Sequence, residues 1–196
     1  MEWLGRARRY ALILRTKPDD TVYQVDRRVT TMRQLNEALK DTRANRIEVA
    51  PTRLDMELQQ AMMARAIDAA WRQGGWTVDL DELLFLHRLG LMPVYERLFT
   101  QTRSLKVTAM CGMQRPVQVS RFALSQSRHV ISFLQEGRDV ATIAEATTPR
   151  MKDVIPNLTI DGYGEYSFAW FERRSRKIYI ARLDVENDRL EELGTA

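Results

Sequence analysis

Cysteine occurs once in this chain, at Cys111, and histidine twice, at His87 and His129. A single thiol excludes an internal disulfide and a cysteine-based zinc cluster, and two separated histidines lack metal-ligand spacing. Cys111 has no base partner in view and reads as a small buried hydrophobe. No run approaches the ~18 consecutive apolar residues of a membrane helix. The opening Met1-Glu2-Trp3-Leu4-Gly5-Arg6 lacks the basic-then-apolar order of a signal peptide. A cytoplasmic protein with no membrane segment is the expectation. Glycine is scarce, nine in 196 residues, and none is followed by lysine.

What remains is the composition of an ordinary globular chain, 44% hydrophobic and 29% charged, long enough to bury a core. The formal net charge of +4 permits nucleic-acid contact without requiring it. Its basic clusters, Arg6-Ala7-Arg8-Arg9, Asp26-Arg27-Arg28 and Arg173-Arg174-Ser175-Arg176-Lys177, read first as solvated faces or turns.

Apolar runs of strand length occur at residues 10–15, 46–50, 75–80, 105–111 and 128–134. Helical spacing lies between them. Thr30 or Thr31 can cap a helix carrying Met32, Leu35 and Leu39, and a long helix runs from about residue 54 to Gly74-Gly75. Further helices are predicted over 91–102, 116–124 and 137–146. Strands apolar on both faces, alternating with helices, predict an α/β fold with a mainly parallel sheet and helices on both faces. Residues 165–171 and 177–183 alternate around a polar turn and predict a C-terminal β-hairpin. One domain over residues 1–184 is expected, followed by an acidic, frayed tail at 185–196.

In a parallel sheet, ligands bind at the C-terminal ends of strands. Val78-Asp79-Leu80-Asp81-Glu82 ends in adjacent carboxylates, a pair suited to holding hydrated Mg²⁺ and orienting an attacking water. Both acids equally suit a helix N-terminus. Neighbouring strand ends supply Thr16-Lys17-Pro18-Asp19-Asp20 and Gln114-Arg115. A glutamine beside a carboxylate pair can sense or hold a γ-phosphate, although Gln114 and Arg115 can also simply satisfy loop backbone. His87 is close enough in sequence to reach the acids.

From about residue 10 to 183 the chain resembles the P-loop ATPases of the HerA/FtsK type, within the RecA/ASCE-like division. The small ATPases of phages and zonula occludens toxin-like proteins are the nearest in pattern. The resemblance rests on Arg15-Thr16-Lys17-Pro18-Asp19-Asp20, Val78-Asp79-Leu80-Asp81-Glu82-Leu83 and Gly112-Met113-Gln114-Arg115-Pro116, taken in that order and spacing. It implies an ATP-hydrolysing motor that acts on DNA or virion assembly, an oligomer using ATP and Mg²⁺. Asp81 would be the Mg²⁺-associated Walker B acid, Glu82 the water-activating residue and Gln114 the polar sensor. Arg115, Lys17 and Asp19 would lie on the nucleotide side, Arg115 facing a phosphate or a neighbouring subunit.

The departure from that family is the phosphate loop, G-x-x-x-x-G-K-[ST], which these 196 residues do not contain. Two explanations stay open. The chain is a truncated or internally initiated reading of a longer ATPase, residues 2–9 being the stub of its first helix. Alternatively it kept the scaffold and lost hydrolysis, leaving an inactive nucleotide-fold module that binds protein or nucleic acid through arginines.

Overall fold

The computed structural model describes residues 8–16, 24–41, 43–51, 55–102, 104–187 and 189–196. Contacts divide the chain into two compact units, Met1–Gln114 and Arg115–Ala196. The division falls inside the stretch expected to form one domain.

In the first unit, strands β1 (Tyr10–Leu14) and β2 (Arg27–Val29) lead to helix α1 (Met32–Lys40). β3 (Arg46–Val49), α2 (Met56–Gln73) and β4 (Trp76–Leu80) follow, then α3 (Leu83–Arg88), α4 (Met92–Thr100) and β5 (Thr108–Cys111). All strand pairs are parallel, in the order β2-β3-β1-β4-β5. β4 is buried along its whole length, and four of the five residues of β1 are buried. Those apolar runs are strands because a parallel sheet covered by helices hides both faces.

Helix α1 starts where Thr31 and Gln34 form a reciprocal capping box. Asp55 caps α2 through the Leu58 amide, and α2 ends at Gly74, whose φ of +69° suits glycine. Its buried face includes Met62, Met63, Ala66, Ile67 and Ala70, so these two methionines are core filling while Met56 is exposed.

The edge strand β2 is Arg27-Arg28-Val29, whose charges set it apart from the apolar runs. Residues after the acidic pair form α3, the helix whose N-terminus those acids suit. Arg15 and Glu48 make a buried ion pair at 2.8 Å, with Arg28 at 3.7 Å on the far oxygen.

The second unit begins with a single 3-10 turn at Pro116–Gln118, followed by α5 (Arg121–Ser125) and β6 (His129–Ser132). Then come α6 (Gly137–Ala146), α7 (Met151–Val154), α8 (Ile160–Tyr163), β7 (Ser167–Glu172), β8 (Lys177–Asp184) and β9 (Arg189–Thr195). Its sheet is antiparallel, ordered β6-β7-β8-β9. The expected hairpin is β7–β8.

β6 was expected in the parallel sheet, yet it pairs antiparallel with β7, Val130 opposite Phe171 and Ile131 opposite Trp170. Its burial alternates exposed and buried, the pattern of a sheet with one solvated face. Residues 189–195, expected to be a frayed tail, pair with β8 as β9, and Arg182 donates to Glu191 across the pair at 3.1 Å. Ladder bonds and cross-strand charge pairing order a segment whose acidity suggested none.

Candidate functional site

The C-terminal end of β4 is assembled from three neighbouring strands. Leu14 of β1 lies opposite Leu80 of β4, so the residues just past each strand are neighbours. There the Thr16 hydroxyl donates to Oδ2 of Asp81 at 3.2 Å. On the other side, the Gly112 amide donates to the Leu80 carbonyl at 3.0 Å, and the Leu83 amide donates to the Gly112 carbonyl at 2.9 Å. A Cβ on Gly112 would collide with the Asp81 carbonyl oxygen, so only glycine permits this approach. Leu80, Leu83 and Leu86 are fully buried and anchor the segment, each worth ~1.5–3 kcal/mol of burial.

Asp81 is 8% exposed; Thr16 holds one of its oxygens. Glu82 is the N-cap of α3, and its carboxylate accepts from the Leu84 amide at 3.3 Å. The capping alternative is therefore realised for Glu82. Gln114 is exposed, two residues past Gly112 and in the same unit. Lys17 and Asp19 lie outside the described residues.

Arg115 belongs to the second unit. Its Nε donates to Oδ2 of Asp139 at 2.8 Å, while the Val117 amide donates to Oδ1 at 2.9 Å. Asp139 is buried and the Arg115 side chain is 59% exposed, leaving the guanidinium tip outward. Both border an open cavity of about 340 Å³ with Leu134, Gln135 and Glu136. His87 does not turn to the acids: its Nδ1 lies 3.3 Å from the Tyr95 hydroxyl.

Two residues of the site escaped the sequence reading. In the sequence Thr16 is one polar residue of the loop after β1. Asp79, two positions before Asp81, shares its face of β4, as does Thr77. Asp79 is 7% exposed, and among the described residues neither its Oδ1 nor the Thr77 hydroxyl has a hydrogen-bond partner. Burial, then the charge of Asp81, pushes the Asp79 carboxyl up to about 6. The alternation Thr-x-Asp-x-Asp within an otherwise apolar strand was the available signal. Burial, then the charges of Asp79 and Glu82, pushes the Cys111 thiol up to about 12, too high for a nucleophile.

Among the described residues no group of three or more His, Cys, Asp or Glu side chains is placed to hold a metal by itself. Mg²⁺ does not require one, since it commonly takes one or two carboxylates plus phosphate oxygens and water. Asp81, with one oxygen fixed by Thr16, fits that role. Among the described residues no helix is long and apolar enough to cross a membrane.

The first unit is a parallel sheet with helices and the second an antiparallel sheet that contains the C-terminal hairpin, and this fold recurs among solved structures. The chain is similar to the genome-packaging NTPase B204 of Sulfolobus turreted icosahedral virus 2 in complex with sulfate, at TM-score 0.68 and 12% identity, covering 91% of this chain and 84% of that one. The same NTPase with ATP-gammaS gives TM-score 0.66 and 13% identity, over 91% and 84%. B204, the DNA-packaging ATPase of Sulfolobus turreted icosahedral virus, gives TM-score 0.66 and 14% identity, over 91% and 85%. No protein-family model matches the chain, and no curated protein matches it.

Proposed function

We propose that this chain is part of an ATP-binding, ATP-hydrolysing motor protein of the HerA/FtsK type, virus-linked and acting on DNA or virion assembly as a homo-oligomer in the host cytoplasm. The observation that carries the reading is the strand end of β4, where Asp81 is held between Thr16 and Gly112 with Glu82 beside it. The fold's likeness to a viral packaging NTPase solved with nucleotide supports it.

In this reading Asp81 is the Walker B acid and would hold Mg²⁺. Glu82 would orient or deprotonate the attacking water, Gln114 would sense the γ-phosphate, and Arg115 would face a phosphate or a neighbouring subunit. Lys17 and Asp19 border the nucleotide. Bound Mg²⁺ would neutralise charge developing on the transferred phosphoryl group. The phosphate-holding loop would come from a segment outside these 196 residues.

A second reading, an inactive nucleotide-fold module, draws on one observation: Glu82 already caps α3. Mg²⁺-dependent ATP hydrolysis that Glu82→Gln removes separates the two, and Mn²⁺ relaxation enhancement in the presence of a non-hydrolysable ATP analogue tests the metal role. The motor reading expects enhancement that Asp81→Asn abolishes and Asp139→Asn leaves intact. Enhancement unaffected by Asp81→Asn would overturn the assigned metal role.

A further inference from the structure

One face of the antiparallel sheet in the second unit carries a row of rings that the motor reading does not use. Ile131 of β6 lies opposite Trp170 of β7, and Trp170 opposite Tyr179 of β8, so all three share a face. Trp170 and Tyr179 rings are 5.2 Å apart between centroids and tilted by 38°. The His129 ring sits 5.6 Å from Trp170 on the other side. Trp170 Nε1 donates to His129 Nδ1 at 3.1 Å, which locks the two rings and requires that nitrogen to be unprotonated. Ile131 is 51% exposed and Trp170 and Tyr179 are half-buried.

Cations gather at one end of this row. Lys177 lies on the same face as Tyr179, two residues earlier, and Arg174 and Arg176 occupy the adjoining turn. All three are exposed. That turn is rigidly built: Glu172 accepts from the amides of Arg174 and Ser175. Arg173 fastens its base to the carbonyls of Leu124, Ser127 and Ala146. Rings held side by side on a sheet, with exposed cations at their margin, suit splayed bases and a phosphate backbone. A purely apolar protein partner would leave the three cations unmatched.

We infer that the row His129–Trp170–Tyr179, with Lys177, Arg174 and Arg176 at its margin, is a stacking platform for single-stranded nucleic acid. This goes beyond the motor reading and does not depend on it, since the contact needs neither ATP nor Mg²⁺.

The test is fluorescence anisotropy of a labelled oligothymidylate with the whole chain, without nucleotide, across a salt series. Trp170→Leu and Tyr179→Ser are each expected to weaken binding about ten-fold or more. The triple change Lys177→Gln, Arg174→Gln, Arg176→Gln is expected to lower the salt slope by ~0.7 per cation removed. Circular dichroism identifies any variant that fails to fold; because the triple change is on the surface, it keeps the test valid. The proposal is overturned if the oligonucleotide does not bind, if all variants bind like wild type, or if a duplex competes better than the single strand. It is also overturned if the chain dimerises through this face, with Ile131→Lys dissolving the dimer while oligonucleotide binding is unchanged.

Discussion

The Thr16 hydroxyl and the Asp81 carboxylate, 65 residues apart in sequence, are joined by a hydrogen bond of 3.2 Å across the ends of two paired strands. The bond fixes one oxygen of Asp81. Thr16→Val should cost ~1–2 kcal/mol, the range for a partly buried carboxylate that loses a donor, whereas Thr16→Ser should retain most of it. Urea denaturation of the three proteins checks this.

Gly112 brings the end of β5 against the backbone of Asp81. Gly112→Ala places a methyl group on a carbonyl oxygen that cannot swing aside, and ~1–3 kcal/mol of destabilisation is expected. Because Leu83 bonds to the Gly112 carbonyl, the change should also perturb amide resonances of Asp81 through Leu84. Unchanged spectra would show that the strand end does not rest on this approach.

Asp79 makes the pH dependence specific. Its carboxyl is raised from 3.8 to about 6, chiefly by burial. The folded state thus binds this proton more tightly than the unfolded chain. Its stabilisation is complete below about pH 4 and lost as pH rises through about 6. The gap corresponds to ~3 kcal/mol. In chelator-containing buffer, Asp79→Asn should gain stability on wild type by roughly that amount between about pH 4 and 7. Parallel urea curves over that interval would contradict it.

The Arg15–Glu48 pair is shielded from water on both sides. Glu48→Leu removes the carboxylate to which the buried Arg15 guanidinium donates and should cost ~1–3 kcal/mol. The double change Arg15→Met, Glu48→Leu should cost less than Glu48→Leu alone. Thermal unfolding of the single and double variants measures the difference.

Much of the parallel sheet was legible because β1, β4 and β5 are apolar runs that stop at polar residues. The acids at 81 and 82 followed from the same reading. The cap at Thr31 and the hairpin were legible from local chemistry and two-residue alternation. What stayed hidden depends on partners distant in sequence. β2 is three residues with two arginines, and β9 is acidic; both exist through pairing with a neighbour. β6 is apolar enough to pass for a buried parallel strand, and only its antiparallel partner β7 reveals the solvated face. Thr16 matters only once β1 and β4 are adjacent. Asp79 looked like one polar residue in a strand until its face and burial were known.

The central claim, that the end of β4 carries the acids of an ATP-hydrolysing site, is tested most directly by Mg²⁺-dependent ATP hydrolysis of the protein expressed from its full natural reading frame. Wild type should hydrolyse ATP, and Glu82→Gln should lower the rate by ~10²-fold or more with nucleotide binding retained. Hydrolysis undiminished in Glu82→Gln, or none in wild type that binds Mg²⁺–ATP, would contradict the account.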